Sequence, residues 1–153
     1  LVRIDDRMLH GQVVSTWLKD YSIEQVLIIN DKAANDPIQK SVAGLAAPKE
    51  VKVHLFGVDQ FIDILKKTPI KRKTMLIFTT STDVLKLVEN GLDIKEVNVG
   101  GMRYNENRKR LSKAVSVTPE EEEAFKKLIE KDIKVFIQMI PKSDESLMKN
   151  LLK

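Results

Sequence analysis

Val26-Leu27-Ile28-Ile29-Asn30 is an almost unbroken apolar run, as expected of a strand covered on both of its faces. The pattern recurs. Leu1, Val2 and Ile4 form a first short run, Val51 to Phe56 alternates with Val51, Val53 and Leu55 on one face, and Thr74 to Thr79 is again apolar. Lys95 to Val99, Ala114 to Val117 and Lys134 to Ile140 read as further strands. Between them lie stretches with helical spacing and helix punctuation. Gln12 to Leu18 is the first, and Asp31 to Asn35 reads as loop. Asp36-Pro37 is a cap followed by a first-turn proline, and opens a helix that runs to about Ala47, before Pro48. Val58, Phe61, Ile62 and Leu65 mark a helix over 58–67. Ser81 or Thr82 caps one over Asp83 to Asn90, with Gly91 as its stop. Thr118-Pro119-Glu120-Glu121 starts another that ends near Asp132, and Ser143 or Asp144 begins a terminal helix. About seven strands alternating with helices predict an α/β fold: an open, mainly parallel sheet with helices on both faces.

At 153 residues, 42% hydrophobic and 31% charged, the chain has enough apolar material for one substantial core, and residues 1–153 are read as a single domain. No apolar run approaches the roughly 18–20 residues of a membrane span, and no secretory leader is visible. The first residue is Leu1, so a short preceding piece is expected. There is no cysteine, which excludes disulfides and thiolate metal sites and fits a cytoplasmic protein. With only two histidines a metal site built on imidazoles is not expected, and no other cofactor is called for: neither G-x-x-x-x-G-K-[ST] nor G-x-G-x-x-G occurs. The net charge of +4 is a mild excess spread along the chain. With aromatics at 5%, it does not point to nucleic acid.

In a sheet of this kind sites form outside the carboxyl ends of strands. The qualifying loops are 6–11, 31–35, 57–58, 80–82 and 100–107. The first is the densest: Arg3-Ile4-Asp5-Asp6-Arg7-Met8-Leu9-His10-Gly11-Gln12 carries a strand end straight into a helix start. Free backbone N–H groups and the positive end of a helix dipole favour an anion there and disfavour imidazolium, so His10 is expected neutral and nucleophilic near pH 7. Arg7 can neutralise further charge, and Gly11 and Gln12 place backbone near a bound group. The bland alternative is a histidine that caps or packs at a helix start. Asp5 and Asp6 point to opposite sides of an extended chain, so one of them is expected to reach the site and orient the imidazole. Either could equally make a local turn bond or pair with Arg3. Thr80 and Ser81 offer hydroxyls at a helix start, and Gly100 and Gly101 let backbone amides approach an anion. Met8 or Met102 could supply an adaptable apolar rim. His54, Trp17 and the acidic run 120–123 read as structural, and Asn107-Arg108-Lys109-Arg110 as a solvated loop or a docking site for an acidic partner.

R-I-D-D-R-M-L-H-G-Q-V at the start, N-V-G-G-M-R-Y at 98–104 and V-F-I-Q-M-I-P at 135–141 resemble the IIB component of the mannose/fructose/sorbose class of bacterial sugar phosphotransferase systems. The resemblance spans essentially the whole chain. It implies a protein-N(pi)-phosphohistidine–sugar phosphotransferase component, with His10 carrying a phosphoryl group from a phosphorylated IIA protein to a sugar at membrane permease subunits. It also implies a cytoplasmic protein peripherally associated with that permease. Neither the sugar nor the oligomeric state, a homodimer included, can be read from the residues. Two rivals stand against it. A receiver-like signalling domain would use Asp5-Asp6 for magnesium but needs an acid at the end of the third strand, where Leu55-Phe56-Gly57 stands. A non-enzymatic binding module would use the basic segment 107–113.

Overall fold

The computed structural model describes residues 1–9, 11–43, 45 and 47–152, with the side chains of 11–14 left aside. Among the described residues the chain runs β1 (Val2–Asp5), α1 (Gly11–Asp20), β2 (Gln25–Ile29), α2 (Asp31–Ala34), α3 (Pro37–Ala43), β3 (Lys52–Phe56), α4 (Val58–Lys67), β4 (Thr74–Phe78) and α5 (Ser81–Glu89). It continues through β5 (Glu96–Gly101), β6 (Lys109–Arg110), β7 (Ser116–Val117), α6 (Pro119–Glu130), β8 (Lys134–Ile137), β9 (Ser146–Leu147) and a 3-10 turn, Met148–Asn150. Seven strands form one sheet in the order β3-β2-β4-β1-β5-β8-β9, parallel except for β9. The mainly parallel α/β sheet expected from the residue pattern is the fold observed.

Strand alternation divides the core between the two faces of this sheet. Val2, Ile4, Leu27, Ile29, Leu76, Phe78, Val97 and Val99 join residues of α4, α5 and α6 in the larger cluster. Their neighbours Val26, Ile28, Met75 and Ile77 join Trp17 and Leu18 of α1 in the smaller one. On β1 the same alternation sends Arg3 and Asp5 to the opposite face from Val2 and Ile4, so two charged residues enter the interior by register alone.

Several segments differ from their expected form, each for a visible reason. Asp31 to Asn35, expected as loop, contains α2, because the polar end of the β2 run is itself a cap: Asn30 Oδ1 accepts from Ala33 N at 2.7 Å. α5 starts at Ser81, one residue after its cap, Thr80. α3 is described over Pro37–Ala43; residues 44 and 46 of the stretch expected to reach Ala47 lie outside the described residues. Residues 114–117 do not join the main sheet. β7 pairs antiparallel with β6, and Val115 bridges to Met102. The seventh strand is instead β9, which with the 3-10 turn replaces the expected terminal helix. There Met148 is fully buried, with Leu151 and Leu152 packed on the same core, so three apolar contacts outweigh what a short helix over this segment could gain. β8 stops at Ile137 because the next carbonyls are diverted. Gln138 O accepts from Asn98 Nδ2 at 3.1 Å, and Met139 O from Trp17 Nε1 at 2.9 Å.

One acid works against the fold at neutral pH. Asp83, in the first turn of α5, has its carboxyl pushed up to about 6, first by burial and then by Asp31 and Glu121, with Lys86 opposing. In the unfolded chain it ionises near its ordinary value of 3.8, so between these values the folded state binds more protons. Stability from this group is therefore complete at low pH and lost as pH rises through about 6. Asp83→Asn is expected to raise the melting temperature by roughly 2–4 °C near neutral pH, corresponding to about 1 kcal/mol in a domain of this size. The gain should shrink toward zero as the pH is lowered; thermal melts across that range check it.

Candidate functional site

β1 lies between β4 and β5, so its carboxyl end is flanked by the loops after those two strands, and the chain leaves it toward α1. The 80–82 and 100–107 loops are therefore the neighbours of the first loop, a point that residue pattern alone left open. The chain turns sharply after β1. Met8 N donates to Asp5 O at 2.9 Å, and Met8 itself sits in the left-handed region at φ 59°. α1 then opens at Gly11, with Gln12 second. His10 lies outside the described residues.

Beneath the loop is a buried polar network. Arg3 is fully buried on β1, and its Nη1 donates to Asn98 Oδ1 on β5 and to Gln138 O at 3.3 Å. Its Nη2 donates to Asp5 Oδ2 at 3.3 Å and to Met139 O at 3.4 Å. The guanidinium carbon lies 5.2 Å from the centroid of the Trp17 ring, which is itself buried and stacked on Tyr21. Nε of Arg3 has no hydrogen-bond partner among the described residues. Burial lowers the pKa of Arg3 from its ordinary value, Asp5 opposes that, and Arg7 adds to it. Trp17 is thus the core anchor expected, and Arg3 has a defined structural place.

Asp5, also fully buried, is shared between two arginines. Its Oδ1 accepts from Arg7 N at 3.1 Å and Arg7 Nε at 3.0 Å, and its Oδ2 accepts from Arg7 Nη2 at 3.2 Å. This is a two-pronged carboxylate–guanidinium pair, and it fixes the plane of a guanidinium whose side chain is still 35% exposed. Two cations against one carboxylate leave this corner net positive. Asp6 turns the other way. Its Oδ2 accepts from Arg103 N at 2.8 Å and from Arg108 Nη1 at 3.2 Å, and Arg103 Nε stands 3.4 Å from its Oδ1. The two aspartates therefore take opposite sides: Asp5 inward to hold Arg7, Asp6 outward to hold the 103–108 loop.

The glycines of β5 have a use that composition did not suggest. A Cβ on Gly100 would come within 2.0 Å of Arg3 Nη2, and one on Gly101 within 3.2 Å of Arg7 Nη2. The room above them is filled by arginine. Gly100→Ala is expected to displace the Arg3 guanidinium and lower stability by about 1–3 kcal/mol, a typical cost of overpacking. Gly101→Ala presses only on the movable end of Arg7 and should cost less. Denaturant midpoints of the two variants test the order.

The hydroxyls of the 80–82 loop are also engaged. Thr80 Oγ1 accepts from Thr82 N as the α5 cap and donates to Glu121 Oε2 at 2.8 Å. Ser81 is fully buried, and its Oγ donates to Glu121 O at 2.8 Å, so it faces α6 and not solvent. Met102 is fully buried in the larger cluster and is no rim residue, whereas Met8 is half-buried. His54 is exposed on the edge strand β3, its ring 6.1 Å from that of Phe56.

Two residues read as ordinary surface charge prove central. Glu121, expected as helix-start electrostatics, is 4% exposed. It closes a capping box with Thr118 and takes two bonds from Arg108, Nε to Oε1 at 2.9 Å and Nη2 to Oε2 at 2.8 Å. Burial alone would raise its carboxyl; Arg108, Thr118 and Thr80 together hold it below its ordinary value. Lys109 pairs with Glu122 at 2.9 Å, so two cations of the basic run face α6. The capping-box spacing Thr118–Glu121 was the available signal; the partner, Arg108, had none. Beside Arg7 a groove of about 290 Å³ opens between Gly101, Arg103, Tyr104, Lys113 and Met139.

The model of the PTS system sorbose subfamily IIB component matches residues 1–153. The fructose-specific EIIB component of Bacillus subtilis (strain 168) is 35% identical over 147 residues, 95% of this chain and 90% of that protein. The mannose-specific EIIAB component of Escherichia coli (strain K12) is 35% identical over 153 residues, 99% of this chain but 47% of that longer protein. The crystal structure of the IIBSor domain of the sorbose permease from Klebsiella pneumoniae superposes with a TM-score of 0.92 at 30% identity, covering 99% of this chain and 93% of that one. Whole-length agreement in sequence and fold places the chain: it belongs to the sorbose subfamily of PTS IIB components, the phosphotransferase parts of a sugar uptake system.

Proposed function

We propose that His10 accepts a phosphoryl group from a phosphorylated IIA protein and passes it to a sugar entering through membrane permease subunits. The observation that carries this reading is the Arg3–Asp5–Arg7 arrangement. A buried carboxylate between two guanidiniums presents Arg7, half exposed and oriented, three residues before His10 at the carboxyl end of the central strand. α1 opens at the residue after His10, and its first amides add to the same positive field.

In the first step an imidazole nitrogen attacks phosphorus in line, the P–N bond to His10 forms and the bond to the donor breaks. In the second a sugar hydroxyl attacks, the P–N bond breaks with its electron pair returning to the imidazole, and the hydroxyl proton passes to solvent as the sugar phosphate forms. In both, negative charge spreads over the transferring oxygens, and a fixed guanidinium binds two of them together. Asp5 holds Arg7 in place for this; Gly11, Gln12, Gly101 and the Thr80–Ser81 helix start surround the same end of the sheet. The E. coli relative is named as an EIIAB component, a name that joins a IIA part to a IIB part, and this supports a IIA protein as the donor. Among the described residues no helix is long and apolar enough to cross a membrane, so the membrane step is assigned to partner subunits, with this chain at the cytoplasmic surface. A carrier must meet two proteins in turn, and the open groove beside Arg7 suits that better than a deep pocket.

Incubation with a phosphorylated IIA protein tests the reading. The expected label is acid-labile and base-stable, as phosphohistidine is. No label, or one stable to acid, would contradict it.

A further inference from the structure

We propose that Arg108 is a positioning residue for the loop that carries His10, acting through Asp6. The inference rests on the carrier reading and adds a residue that lies nearly one hundred positions away in the chain. Arg108 uses all three of its guanidinium nitrogens. Nε and Nη2 hold the two oxygens of Glu121 at 2.9 and 2.8 Å, while Nη1 donates to Asp6 Oδ2 at 3.2 Å and to Arg103 O at 2.8 Å. The side chains of Arg108, Asp6 and Glu121 are only 11%, 13% and 6% exposed, so solvent screens the set weakly.

The two ends of this bridge are unequal. Glu121 is fixed to α6 and to the start of α5: its carboxylate accepts from Thr118 N at 3.0 Å and from Thr80 Oγ1 at 2.8 Å, and its carbonyl accepts from Ser81 Oγ. Asp6 sits in the turn between β1 and α1, directly between Asp5 and Arg7. Arg108 therefore anchors that turn from outside to rigid elements, while the Arg3–Asp5 pair anchors it from inside. Without Arg108 two mostly buried carboxylates lose their shared cation, and Asp6 is left to the exposed Arg103. A lysine cannot take its place fully, since one ammonium does not span two carboxylates in a plane.

Single-turnover transfer from phosphorylated IIA, measured with melting temperatures, tests this on Arg108→Gln, Arg108→Lys, Asp6→Asn and the Arg108→Gln/Asp6→Asn double variant. Arg108→Gln should lower the rate at saturating donor by about 10- to 100-fold, the scale on which small misplacements of reacting groups act. The donor KM should stay within about twofold, because the Arg108 side chain, only 11% exposed, offers the donor little surface. Arg108→Lys should fall between Arg108→Gln and the wild type. If Arg108 acts through Asp6, the double variant should transfer no more slowly than Asp6→Asn alone. A lowered melting temperature with an unchanged rate per folded molecule would overturn the proposal, as would losses that multiply in the double variant. Should Arg108→Gln not fold, a wild-type rate in Arg108→Lys overturns it and a reduced one supports it. A wild-type protein that takes no label from IIA would overturn the carrier reading and this proposal with it.

Discussion

Replacing His10 by alanine is expected to abolish phosphoryl uptake from a phosphorylated IIA protein, while His54→Ala leaves it nearly intact. The asymmetry has a physical basis in what surrounds each position. Arg7 lies three residues before His10 in the chain and α1 is described from Gly11, so on the carrier reading an anion brought there meets a positive field. His54 stands exposed on an edge strand beside Phe56, lining a groove with Gln25, Ile64, Lys71 and Arg72, and lies within β3 and not at a helix start. A second histidine that carried label would require neither feature. Label uptake by the two variants under identical donor concentrations decides the matter, and equal loss in both would overturn the assignment.

The second large effect is expected at Arg7. Arg7→Ala should lower transfer by about 10²–10³, or roughly 3–4 kcal/mol, the usual cost of removing a group that stabilises transferring charge. Arg7→Lys should retain part of the rate, because it keeps the charge and loses the fork. The rival account is that Arg7 only ties the loop to Asp5, and the geometry gives that account substance: Nε and Nη2 both bond the Asp5 carboxylate. The two roles separate in one variant. If Arg7 is only a tie, Arg7→Ala lowers the melting temperature and leaves single-turnover transfer by the folded fraction unchanged. If it binds the transferring oxygens, the rate falls by far more than the lost stability explains. Asp5, bonded to both arginines, bears on both roles, since its carboxylate sets the orientation in which Arg7 reaches outward.

The residue pattern carried most of the architecture because apolar runs and caps are local. Val26–Ile29, Thr74–Phe78 and the Thr118–Glu121 cap announce their elements within a few residues of themselves. Failures came where a distant partner decided the outcome. Ala114 to Val117 is apolar enough for a main-sheet strand, yet it pairs with Lys109–Arg110 because Met102 and Val115 already meet. The terminal segment carries helix punctuation, but Met148 has a place in the core to fill. In the first loop, the pairing of Asp5 with Arg7 was readable because the two are neighbours in the chain. Which aspartate faces inward was not, since it depends on β1 register against β4 and β5. Gly100 shows the limit most clearly. A glycine that seemed placed for an anion instead makes room for Arg3, and no local pattern distinguishes the two uses. Arg108 and Glu121 looked like surface charge for the same reason: their partnership, completed by Asp6, spans the chain.

The measurement that bears most directly on the carrier account is the position of the label. Trypsin cleavage after Arg7 and Lys19 releases residues 8–19, which hold His10 together with Ser15 and Thr16; cleavage after Lys52 releases His54 on a separate peptide. After brief incubation with phosphorylated IIA and digestion at alkaline pH, fragmentation of these peptides by mass spectrometry places the added phosphate. The account predicts phosphate on His10 alone, lost when the peptide is acidified and discharged when the permease subunits and their sugar are supplied. Phosphate on His54, or acid-stable phosphate on Ser15 or Thr16, would contradict it.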